Sequence, residues 1–293
     1  MQFALALELS HRWGILDSSS DSQEALEARL ASARAAKRER HISFDDLAQS
    51  GGFRLATLTS IFAPSLLVDT PSSLAEAIAT LIVAPDDEHH SMSKIVVGLD
   101  VEWASQLHSR SRKKRARLGS AIESCNNDGN DDSEAKPTAA LLQLASRHDI
   151  FLVDVATLSA TSSGREALSV SLGSLLGDVN VIKLGFGVSQ DLTVLARAIN
   201  PALPSQAFCA SPPRSMVDLK GEGVGVSSLL KGRGLSEYAM EFLGKPLDKA
   251  EQCSNWSIRP LRQSQLEYAA LDAWVLVAIW EHMQIRKADA IRA

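Results

Sequence analysis

An unbroken apolar run that ends in two acids is the feature that most constrains this sequence. Residues 95–99 are apolar and rich in β-branched side chains, and they lead directly into Asp100 and Glu102. Runs of this kind are typical of buried central strands. Side chains at i and i+2 share one face of a strand, so the two carboxylates point the same way. Because adjacent carboxylates repel each other unless a cation lies between them, the pair predicts a site for a hard ion such as Mg²⁺ or Mn²⁺.

A tyrosine and a third acid lie on a helix predicted late in the sequence. Apolar residues recur at helical spacing from residue 263 to about 285, and neither glycine nor proline interrupts them. Tyr268 and Asp272 are four residues apart and therefore share one face of this helix. An acid in a metal shell with a phenol one turn away suits a site that holds a metal-bound water in line with a phosphorus atom.

A fourth acid, Asp191, follows a second apolar strand at 179–184 and a glycine-rich turn at 185–187. It lies near the start of a predicted helix, where the helix dipole favours negative charge. Taken singly, each segment has an ordinary alternative: a solvated strand edge, a helix cap, or a buried tyrosine bonded to its neighbour. Their combination, in the order strand, helix start and late helix, favours a metal site.

The three segments resemble the motifs of a known family. GLDVEW, KLGFGVSQDL and EYAALDAW are similar to those of the DEDDy branch of the DnaQ-like 3'-5' exonucleases, within the ribonuclease H-like superfamily. The similarity is closest to Werner-type and nematode-mutator-type exonuclease domains, and more distant to ribonuclease D. It covers about residues 64–288. The resemblance implies an α/β, ribonuclease H-like three-layer fold, with a mixed central sheet of about five strands flanked by helices.

The resemblance also implies a role for each of the five site residues. Asp100 would bridge two divalent metal ions, Mg²⁺ or Mn²⁺. Glu102 and Asp272 would hold the ion that carries the attacking water, Asp191 would support the second ion, and Tyr268 would orient the water. The implied reaction is hydrolysis of the terminal phosphodiester of a nucleic acid with a free 3' end, which releases nucleoside 5'-monophosphates.

Local basic and aromatic groups must supply any grip on nucleic acid, because the net charge of the chain is −5. Trp103 is a candidate for stacking on the terminal base, with core packing as the alternative. Basic candidates close to the motifs, each of which could instead lie on a solvated face, are Lys183, Lys245, Lys249, Arg259 and Arg262.

The sequence divides into two parts with one insertion. The sequence predicts a helical N-terminal extension over residues 1–63 and the exonuclease domain over residues 64–288. Residues 104–137 are polar and low in apolar side chains, which predicts a disordered insertion. Its basic block, Arg110 to Arg117, is compatible with a nuclear localisation signal, an arm that touches the nucleic-acid backbone, or an unselected solvated loop.

Hydropathy and cysteine usage bear on location. No apolar run reaches the length of a membrane helix, and the first residues lack the features of a signal peptide. The three cysteines, Cys125, Cys209 and Cys253, are widely spaced and form no metal-binding pattern. We therefore expect a soluble intracellular protein with no membrane partner, nuclear if the basic block acts as a signal and otherwise cytoplasmic.

Two rival functions remain open. A catalytically silent nucleic-acid-binding module on the same fold would normally have lost one or more acids, whereas all four are present here with Tyr268. An endonuclease on the same fold would lack the late Tyr-x-x-x-Asp helix. RNA and DNA are both compatible with the sequence as substrates.

Overall fold

The computed structural model describes residues 23–49, 67–82, 94–104, 137–200, 213–220 and 232–292. The chain divides into two compact units between Ile42 and Ser43. Within the first unit, the described part forms helix α1, Gln23–Arg40. Its run of alanine, glutamate, leucine and arginine favours a helix, as the sequence predicts.

The second unit is built on a six-stranded mixed sheet. Its strands are β1 (Leu67–Val68), β2 (Ile95–Trp103), β3 (Ala139–Ala145), β4 (Ile150–Val153), β5 (Val181–Gly185) and β6 (Met216–Asp218). The order across the sheet is β1-β4-β3-β2-β5-β6. Strand β3 pairs antiparallel with both β2 and β4. Three pairs are parallel: β1 with β4, β5 with β2, and β6 with β5. The acid-bearing strand β2 is therefore central.

Helices cover both faces of this sheet. In chain order the remaining helices are α2 (Phe44–Gln49), α3 (Pro71–Ile82), α4 (Val155–Ser159), α5 (Ser162–Gly177), α6 (Val188–Ile199), α7 (Leu235–Leu243) and α8 (Gln263–Arg292). Apolar residues of α3, α5 and α6 form one core with Val97, Leu99 and Val101 of β2. Helix α8 packs against β2, β3 and β4. Since side chains alternate along a strand, Gly98, Asp100 and Glu102 lie on the face opposite to that core.

Most predicted elements are present with boundaries close to those expected. Strand β4 ends at Val153, and helix α4 begins at Val155. Asp154 ends the strand: its carboxylate accepts hydrogen bonds from the backbone N and the Oγ1 of Thr157, which caps the helix. The sheet has six strands where about five are predicted, and α8 is seven residues longer than predicted.

Part of the sequence prediction falls outside the described residues. This applies to nearly all of the 104–137 insertion, including the basic block, and to Cys125 and Cys209. Within the predicted extension, α2 belongs to the second compact unit, where Asp46 pairs with Lys245 at 2.7 Å. The domain boundary at residue 63 stays a prediction. None of the helices in the described ranges is long and apolar enough to span a bilayer.

Candidate active site

Strand β2 and helix α8 are brought together at a glycine. A Cβ atom added to Gly98 would lie 2.2 Å from the backbone oxygen of Ala273, so the helix can approach only where the strand has no side chain. Asp100 is two residues beyond Gly98, and Asp272 directly precedes Ala273. The close approach therefore sets the two acids beside each other.

Three carboxylates meet at this contact. One oxygen each of Asp100, Glu102 and Asp272 lies within 4.8 Å of the others. Glu102 and Asp272 are buried, while Asp100 is half-buried. One turn before Asp272 on helix α8 lies Tyr268, and burial together with the charge of Asp272 raises the pKa of its hydroxyl. The ring of Tyr268 is supported by the buried Trp256, with ring centroids 6.0 Å apart. Residues from two distant parts of the sequence thus form one group.

The fourth acid reaches the site on α6. Asp191 lies buried in the first turn of this helix. Its Oδ1 accepts a hydrogen bond of 3.2 Å from Nε1 of Trp103, the residue after Glu102. A bulge interrupts the β2–β3 register between Glu102 and Trp103. The sequence did not reveal the Trp103–Asp191 contact, because it joins residues 88 positions apart on two different elements.

The four acids resist ionisation. Burial is the largest cause, and it raises the pKa of Asp100 to about 6, of Asp191 to about 8 and of Glu102 to about 10. The charge of Asp100 adds to this effect on Glu102 and Asp191. Burial, followed by the charge of Asp100, also raises the pKa of Asp272 well above its usual value. Burial and the neighbouring carboxylates raise the pKa of Tyr268, which keeps its phenol protonated.

This donor set fits a divalent metal. Hard carboxylate oxygens are the ligands that Mg²⁺ and Mn²⁺ prefer. Among the described residues, no lysine or arginine pairs with Asp100, Glu102 or Asp272 within 4.0 Å. Clustered acids that repel one another in a buried place are stabilised when a cation joins them. The number and identity of the ions stay predictions.

Two of the predicted nucleic-acid contacts are not supported by their surroundings. Lys183 is fully buried in β5, and its Nζ donates to the backbone oxygen of Asp178 at 2.6 Å. Arg259 gives all five of its N–H groups to protein oxygens, two of them on Asp154. A phosphate would have to displace these bonds. The sequence shows where a basic residue lies along the chain but not that its polar head is already satisfied.

Other basic groups remain accessible. Arg262 is partly exposed and pairs with Glu251 at 2.5 Å. Lys249 is about half exposed, its Nζ lies 3.9 Å from Glu237, and its charge favours the ionised form of Asp272. Lys249 is therefore an accessible cation whose charge acts on the carboxylate of Asp272. Trp103 packs partly against the core as well as on Asp191, which favours the core-packing alternative for this residue.

Comparison with known proteins places the chain among exonucleases. Residues 128–286 match the sequence family described as 3'-5' exonuclease, a range that includes Asp191, Tyr268 and Asp272. A human protein named Exonuclease mut-7 homolog is 33% identical over 202 residues, which are 63% of this chain and 19% of that protein. Ribonuclease D of Xanthomonas oryzae is 28% identical over 156 residues, which are 53% of this chain and 38% of that protein.

The fold has a solved counterpart. The crystal structure of the Aedes aegypti Nibbler EXO domain superposes with a TM-score of 0.50 at 22% identity, covering 76% of this chain and 88% of that one. This likeness supports the ribonuclease H-like α/β fold. The chain spans about a fifth to a quarter of the length of the mut-7 relatives from human and Drosophila.

Proposed function

This chain belongs to the 3'-5' exonuclease family, and from that premise we propose that it is a metal-dependent enzyme that hydrolyses the terminal phosphodiester of RNA or DNA. It would release nucleoside 5'-monophosphates from a free 3' end. One observation carries the proposal: oxygens of Asp100, Glu102 and Asp272 converge within 4.8 Å, with Tyr268 one helical turn before Asp272. A binding module would have no need to keep acids together against their mutual repulsion.

The carboxylates are the proposed metal ligands. Asp100, Glu102 and Asp272 would hold the divalent ions, Mg²⁺ or Mn²⁺, with Asp191 completing the set. When bound, two such ions lower the pKa of the attacking water and stabilise the leaving 3' oxygen. Trp103 donates a hydrogen bond to Oδ1 of Asp191, so Oδ2 would be the oxygen that binds a metal ion.

Tyr268 would orient the attacking water. Tyr268 shares one face of α8 with Asp272, and the lone pairs of its phenolic oxygen can accept a hydrogen bond from that water. Because the pKa of Tyr268 is raised, the residue acts as a neutral phenol and not as a base. Packing on Trp256 restricts the ring to one position.

Substrate attraction is assigned to the accessible cations. Lys249, whose charge acts on Asp272, is the first candidate to neutralise a terminal phosphate, and Arg262 is the second. Lys183 and Arg259 have no such role in the proposal, because their donors are engaged by the protein.

The test is hydrolysis of 5'-labelled single-stranded RNA and DNA of equal sequence, with Mg²⁺, Mn²⁺ or EDTA, resolved on a denaturing gel. We expect a metal-dependent ladder that shortens from the 3' end, and the faster substrate identifies the preferred class. Asp100→Asn should abolish the ladder. Asp69→Asn makes the same charge change at an exposed position after edge strand β1 and should leave the ladder unchanged.

Two results would contradict the proposal. Binding of either nucleic acid without cleavage under all metal conditions would favour the silent module. Internal cuts without a 3' ladder would favour an endonuclease.

A further inference from the structure

The turn before α6 is held by a residue that lies outside the sequence motifs. Gly187 is the N-cap residue of helix α6, with a left-handed φ of 77° and no side chain that could form a capping bond. The backbone N of Gly187 instead donates to Oδ1 of Asp218 at 2.9 Å. Asp218 is the last residue of β6 and lies opposite Gly185 in the parallel β5–β6 register.

Two more hydrogen bonds complete this link. The backbone N of Lys220 donates to the same Oδ1 of Asp218 at 3.0 Å, and the backbone N of Leu219 donates to the oxygen of Gly185 at 2.8 Å. The end of β6 and the start of α6 are thereby tied into one unit. Asp191 lies four residues after Gly187, so any shift of the turn moves its carboxylate.

The carboxylate of Asp218 also acts on neighbouring acidic groups. In addition to burial, its charge raises the pKa of Asp191 and of the buried Tyr238. Its place is fixed by the two backbone N–H groups that it accepts.

We propose that Asp218 is a positioning residue for Asp191: its Oδ1 fixes the Gly187 turn, and so sets the place of Asp191 relative to Asp100. The proposal rests on the proposed function, in which Asp191 takes part in metal binding. Asp218 acts through hydrogen bonds and not as a metal ligand.

Two substitutions separate these roles. In Asp218→Asn the amide oxygen can still accept both N–H groups, but the charge is lost. In Asp218→Ala the accepting oxygen and the charge are both lost. Asp178→Ala is the matched control, because Asp178 also accepts a backbone N–H, that of Asn180 at 2.8 Å, but does so just before β5 begins.

The measurements are Mn²⁺ affinity by calorimetry, amide hydrogen exchange across α6, and kcat with KM on single-stranded substrate. We expect Asp218→Ala to weaken Mn²⁺ binding and lower kcat by about 10- to 100-fold, with faster exchange at the start of α6. Asp218→Asn should stay within about threefold of the wild type in both quantities, and Asp178→Ala should leave both unchanged.

The outcomes decide between the alternatives. Equal damage from Asp218→Asn and Asp218→Ala would overturn the proposal, because it would assign the role to charge or metal ligation. Unchanged Mn²⁺ affinity in Asp218→Ala would overturn it too. If the wild type binds Mn²⁺ without hydrolysing nucleic acid, the proposed function fails, while the affinity and exchange data still test the placement of Asp191.

Discussion

Arg259 illustrates how one side chain can hold a whole segment in place. Its Nε and Nη2 contact the two oxygens of Asp154 at 2.6 and 2.7 Å, and its remaining donors bond to three backbone oxygens around Trp256 and β3. Asp154 is almost fully buried, with 3% of its side chain exposed. Removing Arg259 would leave the buried carboxylate of Asp154 without the cation that pairs with it.

We predict that Arg259→Ala lowers the free energy of unfolding by about 3–5 kcal/mol, measured by urea denaturation. Arg262→Ala is the control, because that arginine forms a surface pair with Glu251 and should cost less than about 1 kcal/mol. Equal stability of the two variants would contradict a structural role for Arg259.

The hydroxyl of Tyr268 has a predicted role that its ring does not share. Tyr268→Phe removes the hydroxyl and keeps the packing on Trp256. We expect kcat to fall by about 10²-fold or more, while thermal stability changes little. Tyr238→Phe is the matched control, because it also removes a buried hydroxyl, from a ring that packs edge-on against Phe186. A full rate in Tyr268→Phe would exclude the assigned role.

The β2–α8 contact gives a prediction about how elements set the site. In Gly98→Ala the new Cβ would overlap the oxygen of Ala273, so α8 must move away from the sheet. We expect a loss of about 1–3 kcal/mol in the free energy of unfolding, because the added methyl group would overpack the contact between β2 and α8. Activity should fall by about 10²-fold, because Asp272 moves relative to Asp100.

Gly177→Ala is the control for this substitution. Gly177 ends α5, and a Cβ there would meet no atom within 4 Å. We expect unchanged activity and a stability that is equal or higher by up to about 1 kcal/mol. If Gly98→Ala behaves like Gly177→Ala in denaturation and in rate, the close approach of α8 does not set the position of Asp272.

The elements that the sequence predicted best are those with a strong periodic signal. Strand β2 and helix α8 carry long apolar patterns, and both are found with their acids on the expected faces. The difficult features depend on atoms that lie far apart in sequence. Lysine is a residue type that usually lies at the surface. Lys183 is buried because its Nζ donates a hydrogen bond to the backbone oxygen of Asp178. The Trp103–Asp191 bond joins residues 88 positions apart, which no local sequence period records.

The stability of the whole molecule should depend on pH through its four clustered acids. In the metal-free protein, burial raises the pKa of Asp100 to about 6, of Asp191 to about 8 and of Glu102 to about 10. Between about pH 4, where the unfolded carboxyls titrate, and these values, the folded protein binds more protons than the unfolded chain. Stability therefore falls as pH rises through this window.

Metal ions should reverse that trend. We predict that the melting temperature of EDTA-treated protein decreases from pH 6 to pH 9, measured by differential scanning fluorimetry. At pH 8, Mn²⁺ at about 100 times its Kd should stabilise the fold by about 2.7 kcal/mol, because it binds only the folded carboxylates. At that same Mn²⁺ concentration the rise in melting temperature should be smaller at pH 6, because more protons compete with the metal at the lower pH.

Glu102→Gln provides the decisive comparison, because it keeps the shape of the side chain and removes one of the crowded charges. The metal-free variant should lose less stability than the wild type between pH 6 and pH 9, and its response to Mn²⁺ should be much smaller. A wild-type protein whose metal-free stability rises with pH over that range would contradict the acid cluster as the source of the effect. Equal Mn²⁺ responses in the two proteins would show that the cation binds elsewhere.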